Sequence, residues 1–231
     1  MLQRWGGDGA VRLNRADPRR SALLLERAST TDLRAVDYLE AAEIAAAAYA
    51  RLHVPALPQL RTTTAYVAQW TDALAALPRD APIPHRLVEQ AVAHARDLAA
   101  EPKAASVVLH GDLHDRNVLR TLPGARDPWL VIDPQPLAGD PHWEPAPLLW
   151  SRWEEVVAGG RIRADVHARF LTVVDTAGLD EDRARASVVL RLVLNAFWSV
   201  QEAARADRPL TGDEQDWITR CITIIKAVDP S

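Results

Sequence analysis

The chain of 231 residues has one cysteine, Cys221, and of its 27 basic residues only Lys103 and Lys226 are lysines. A single thiol excludes a disulfide scaffold and a cysteine-based zinc cluster. Any chemistry that needs a lysine has two positions to draw on. No apolar run reaches the roughly 20 residues of a membrane helix. The best stretch, residues 44–50, is closed off by Glu43 and Arg51. The first residues contain no apolar segment of the secretory kind. A net charge of −4 leaves no basic footprint for a nucleic acid. These absences lead us to expect a soluble, cytoplasmic protein with no nucleic-acid or membrane partner. Nothing in the sequence specifies an oligomeric state.

What is present suits a folded domain: 48% of residues are apolar and 25% charged, enough for a sizeable core. Residues 1–28 read as β structure. A Gly6-Gly7-Asp8-Gly9 turn precedes a short alternating run at 10–13, and Ala22 to Glu26 has the length of a buried strand. From residue 30 the pattern turns helical. One helix is expected from a Thr31 or Asp32 cap to about His53, and others over 63–77 and 85–100. Short strands are expected at 106–109, 118–120 and 129–132. A loop over 134–145 follows, then helices over 148–158, 165–177, 181–206 and 213–228, with Gly178 ending one and Asp180 capping the next.

The segment with chemical content is His110-Gly-Asp112-Leu-His114-Asp-Arg-Asn117-Val-Leu, followed by Trp129-Leu-Val-Ile-Asp133-Pro. Strand, polar loop, strand, turn, strand and acid together place Asp112, Asn117 and Asp133 at one end of a β-ribbon. All three carry hard oxygen donors, the kind that Mg²⁺ takes together with phosphate oxygens.

H-x-D-x-x-x-x-N with a later strand-end Asp is the catalytic-loop and metal-Asp pattern of kinase-like phosphotransferases. The flanking Trp5-Gly-Gly-Asp-Gly-Ala-Val-Arg-Leu, Ala22-Leu-Leu-Leu-Glu-Arg-Ala, Gly139-Asp-Pro and Pro147-Leu-Leu-Trp-Ser-Arg-Trp narrow the likeness. With them the chain resembles the aminoglycoside/hydroxyurea antibiotic resistance kinases, of the streptomycin 6-phosphotransferase type. The resemblance implies an α+β, protein-kinase-like fold: a remnant of the N-lobe sheet and hinge at 1–28, and a helical C-lobe at 29–231. The C-lobe would carry a small catalytic β-ribbon, with a catalytic loop at 110–117 and a metal-binding loop at 133–140. It implies ATP and Mg²⁺ as cofactors, and an alcohol of an aminoglycoside such as streptomycin, or hydroxyurea, as acceptor.

By position, Asp112 would be the catalytic base, and Asn117 and Asp133 would hold Mg²⁺. His110 would brace the catalytic loop and Asp140 would tie the following loop to it. Glu26, Arg27 and Ala28 would form the adenine hinge. The family's glycine-rich phosphate loop and strand lysine have no counterpart, since neither Lys103 nor Lys226 falls on an expected strand. A start placed too far downstream, a shortened gene and a fold repurposed without catalysis all explain this. The retained Asp112, Asn117 and Asp133 favour the first two. Such a chain would bind ATP weakly and expose a sheet edge.

Other readings stand beside this one: a catalytically inactive kinase-like binding protein, or a metal-dependent hydrolase in which His110, Asp112 and His114 would be ligands beside Asp140 and His142. Of the eight tryptophans, Trp150, Trp153 and Trp198 read first as core, with Trp198 also able to line an acceptor pocket. Glu154 and Glu155 read first as residues of a solvated helix face and second as candidates to meet a cationic acceptor. Cys221 reads as a small buried hydrophobe.

Overall fold

The structure, a computed structural model, describes residues 1–101 and 106–229, and Lys103 lies outside them. The chain starts with a one-turn helix, α1 (Leu2–Trp5), stopped by Gly6 in the left-handed conformation. A hairpin follows, β1 (Leu13–Asp17) paired antiparallel with β2 (Ala22–Leu25). The first strand lies three residues later than the alternating run suggested, because its register is set by β2 and by the Asp17-capped turn at Pro18–Arg20. Residues 1–11 do not belong to the hairpin. Leu2, Trp5, Ala10 and Val11 are buried in one cluster with Ala45, Tyr49 and Leu52 of the first long helix. The hairpin leaves Leu23 and Leu24 more than half exposed.

The expected helix over 31–53 is two elements. Asp32 caps a 3₁₀ turn at Leu33–Ala35, and Asp37 then accepts from the N–H groups of Leu39 and Glu40 to start α2 (Tyr38–Leu52). A second acid able to satisfy orphan donors restarts the helix five residues further on. α3 (Thr63–Ala75) is capped by Thr62 and is followed by α4 (His85–Ala100).

The expected ribbon is two small antiparallel pairs. β3 (Val107–Leu109) pairs with β6 (Leu137–Gly139), and β4 (Val118–Arg120) with β5 (Trp129–Val131). β6 was expected to be loop. Its residues are too few and too small to signal a strand, and tertiary pairing with β3 makes one. The expected helix over 148–158 is also broken, into α5 (Ala146–Trp150) and α6 (Trp153–Ala158). The break is Arg152, at φ 56°, whose guanidinium bonds the carbonyl of Val36 and the carboxylate of Glu155.

α7 (Ile162–Ala177), α8 (Glu181–Arg205) and α9 (Gly212–Val228) complete the chain. Gly178 ends α7 in the left-handed region, Asp180 caps α8, and Thr211 with Glu214 forms a capping box on α9. α2 packs on α7, α4 on α8, and α9 on both α7 and α8. Phe170, Val188, Phe197 and Ile224 are fully buried in that core, each burial worth about 1.5–3 kcal/mol. Among the described residues, no helix is long and apolar enough to cross a membrane.

Candidate active site

The end of β3 delivers the polar loop and the core beneath holds it. Gly111 sits at φ 83°, and a Cβ there would lie 2.1 Å from the carbonyl oxygen of Gln135. Only glycine lets the 110–117 loop pass that close to the segment after β5. The two segments are laced together. The N–H of Gln135 donates to the carbonyl of His110 (2.8 Å), and the N–H of Ile132 to that of Asn117 (2.9 Å). His110 itself is fully buried. Its Nδ1 accepts from the N–H of Asp112 (3.2 Å), so its proton is on Nε2, which donates to the carbonyl of Ile132 (2.9 Å). Burial lowers the imidazole's affinity for a second proton, against the pull of Glu144, and the ring stays neutral.

Beneath this loop lies Glu144, with no exposed surface. Its Oε1 accepts from the N–H of His110 (2.5 Å) and its Oε2 from that of Gly111 (3.2 Å). Burial alone would raise this carboxyl. His53 at 3.6 Å and Arg191 outweigh burial and hold it below its ordinary value. Arg191 of α8 donates to the carbonyls of Gly111 and Trp143. Glu144 therefore performs the tie expected of Asp140. The Asp140 carboxylate instead pairs with the His142 ring and with Arg183 of α8, and it caps the turn Pro141–Trp143. That turn carries the chain back under the catalytic loop and puts an acid four residues later at the position of the tie. The only sequence signal for Glu144 was an acid in an apolar stretch, Trp143-Glu-Pro-Ala-Pro-Leu-Leu-Trp.

The three expected site residues are brought to the same end of the ribbon. Asn117 donates its Nδ2 to the carbonyl of Asp112 (2.9 Å), which leaves Oδ1 without a partner among the described residues. Asp133 follows β5, where Val131 pairs with Val118, and it sits at φ 54°, a left-handed conformation that aspartate tolerates. Its carboxylate makes no hydrogen bond to a described residue. These oxygens fit a hard cation that takes a few protein oxygens and completes its shell from phosphate. The hydrolase ligand set does not form, since both ring nitrogens of His110 are spent within the protein and Nδ1 of His114 accepts from the N–H of Arg116.

Asp112 opens on a cavity of about 440 Å³ whose walls include Arg61, Tyr66, Gln135, Trp143, Asn195 and Trp198. Trp198 thus reaches the cavity, while its ring packs edge-on against Tyr66 and Trp70. Glu154 and Glu155 do not line it. Glu155 is engaged by Arg152, and Glu154 lies exposed, 3.8 Å from Arg220. Glu26 sits just past β2, its carboxylate accepting from the N–H of Arg12 (2.7 Å), and Arg27 and Ala28 lead to Ser29, whose N–H donates to the carbonyl of Arg120 at the end of β4. Sequence reasoning did not find Arg61, Tyr66 or Asn195, since only the fold brings α3 and α8 to the catalytic loop.

A short β-hairpin, a catalytic ribbon and a helical lobe with an H-x-D-x-x-x-x-N loop define a kinase-like phosphotransferase, an enzyme that binds a nucleotide and acts on a small molecule. The solved choline kinase LicA from Streptococcus pneumoniae shares the fold at a TM-score of 0.61 and 15% identity, over 100% of this chain and 78% of that one. The sequence profile of the aminoglycoside/hydroxyurea antibiotic resistance kinases matches residues 1–203. The chain belongs to that family. It is 39% identical to a streptomycin 6-kinase of Streptomyces glaucescens over 215 residues, covering 90% of this chain and 68% of the relative. To a hydroxyurea phosphotransferase of Kitasatospora aureofaciens it is 36% identical, over 87% of this chain and 57% of that one.

Proposed function

We propose that the protein transfers the γ-phosphoryl group of ATP to a hydroxyl of a small molecule, an aminoglycoside such as streptomycin or hydroxyurea. The observation that carries this reading is that Asp112 lines a cavity of about 440 Å³ while its backbone carbonyl accepts from the side chain of Asn117. In it, the Asp112 carboxylate orients the acceptor hydroxyl and receives its proton. Asn117 Oδ1 and the Asp133 carboxylate would hold Mg²⁺, which would supply neutralisation of phosphate charge. The backbone of Glu26, Arg27 and Ala28 meets the adenine, and Trp198 offers an aromatic wall to the acceptor. His110 keeps Asp112 aimed by accepting its N–H. Little covalent chemistry is asked of the protein, because in-line positioning and charge neutralisation supply most of the rate.

The test is ATP-dependent phosphorylation of streptomycin and of hydroxyurea, followed by mass spectrometry, together with Mg·ATP-dependent thermal shift. Asp112→Asn is expected to lower turnover by about 10²–10⁴-fold while nucleotide binding persists. Asp133→Ala is expected to abolish the Mg·ATP shift. Unchanged turnover in Asp112→Asn overturns the assignment of the base.

A further inference from the structure

Within the catalytic loop, between Asp112 and Asn117, lies an acid that the reaction does not use. Asp115 has no exposed surface, and both of its carboxylate oxygens are 2.8 Å from Nη2 of Arg169, which is equally buried on α7. The Arg169 guanidinium carbon stands 4.2 Å from the centre of the Tyr38 ring, at the start of α2. Arg152 approaches Asp115 from the α5–α6 break, at 3.9 Å. We infer that Arg169 is a positioning residue for phosphoryl transfer: through Asp115 it fixes the loop segment that spaces the base Asp112 from the metal ligand Asn117. This inference rests on the roles proposed above for those two residues.

The physical argument is that the pair is a poor device for stability alone. Nε and Nη1 of Arg169 make no hydrogen bond to a described residue, although both are buried. A desolvated guanidinium that uses one of its three nitrogens recovers little of what burial takes from it, and a well-packed apolar pair would serve the core as well. What the ion pair does provide is direction. The turn at Asp115–Asn117 is a single 3₁₀ turn, and the Asn117 side chain reaches back to Asp112 from it. Pulling Asp115 down onto α7 sets the turn's height. The Asn117 oxygen and the Asp112 carboxylate are then held at one separation before any ligand arrives, so that their order is not drawn from binding energy. Glu144 and Arg191 grip the loop at His110 and Gly111, and Arg169 grips the other end.

The test compares Arg169→Gln, Arg169→Lys and, as a control for core damage on the same helix, Phe170→Leu. Hydrogen exchange of peptides covering 109–118, kcat, and KM for ATP and acceptor are measured on each variant. Arg169→Gln is expected to speed exchange in 109–118 at least tenfold and to lower kcat 10–100-fold, with each KM within threefold of wild type. Arg169→Lys should recover part of both losses. Phe170→Leu should lower Tm without speeding exchange in 109–118. Exchange in that segment unchanged by Arg169→Gln, or raised equally by Phe170→Leu, overturns the inference. If Arg169→Gln does not fold, Asp115→Asn is measured by the same two readouts with the same expectations. The functional reading fails separately, through a wild-type chain that transfers no phosphoryl group or an Asp112→Asn variant that keeps its turnover; the exchange experiment reports on Arg169 in either case.

Discussion

Glu144 lies directly beneath His110, its two carboxylate oxygens taking the backbone N–H groups of His110 and Gly111. A buried acid thereby holds the first two residues of the catalytic loop by charge-assisted hydrogen bonds, with Arg191 gripping the Gly111 carbonyl from the other side. Replacing it with glutamine keeps the shape and turns one acceptor into a donor that faces an N–H. Glu144→Gln is expected to destabilise the protein by about 2–4 kcal/mol, because two buried donors then share one acceptor and Arg191 loses its countercharge. Urea denaturation measures this, and an effect within 0.5 kcal/mol of zero, the range of an ordinary surface substitution, would contradict it.

Gly111→Ala should be costly for a different reason. Its φ of 83° is unfavourable for a residue with a Cβ, and that Cβ would meet the carbonyl oxygen of Gln135 at 2.1 Å. Because that clash is with backbone, relief requires the 110–117 loop to move away from the segment that carries Asp133. The expected result is a loss of turnover larger than the loss of stability, read by comparing kcat with the shift in denaturation midpoint.

Stability should fall steeply in acid, and Asp140 should contribute. Burial tends to raise its carboxyl, but hydrogen bonds from His142 and Arg183 prevail and bring its pKa down to about 2 from an ordinary value near 4. A depressed pKa means that the unfolded chain binds a proton first. The contribution is present above pH 4 and is lost as pH falls from 4 to 2, and it amounts to about 2 kcal/mol. Asp140→Asn should be less stable at neutral pH and show a shallower decline over that window, as followed by urea midpoints at each pH.

Trp198 forms part of the cavity wall beside Asp112 and makes no polar contact with the loop. Trp198→Ala should therefore raise the acceptor KM severalfold while KM for ATP stays near the wild-type value. A change confined to KM for ATP would remove Trp198 from the acceptor site.

Cys221 is fully buried in α9, and burial pushes its thiol up to about 12. A thiol in that environment is inert. Reaction with a thiol reagent at pH 8 should track unfolding, and full labelling of the native protein within minutes would contradict the packing of α9.

The helices of the C-lobe were legible because their signals are local. Thr62, Asp180 and Thr211 stand ready to satisfy orphan N–H groups, Gly178 can leave the right-handed region, and apolar residues recur at helical spacing over long stretches. The neighbourhood of Asp112, Asn117 and Asp133 was legible too, since it rests on short strands and turns within 22 residues of chain. Elements that depend on partners were not. β6 exists because β3 lies beside it, and Arg152 breaks a helix because Val36 accepts its guanidinium across 116 residues of sequence.

What the sequence by itself determined is thus the family, the helical lobe and the nearness of Asp112, Asn117 and Asp133 along short strands, all written in neighbouring positions. The tertiary structure alone decided that Glu144 rather than Asp140 anchors the loop, that the cavity draws its walls from α3 and α8, and that Arg169 reaches Asp115. Each joins groups more than 30 residues apart. Buried charges are placed by the packing of whole helices, and no local spacing encodes which acid a distant arginine will meet.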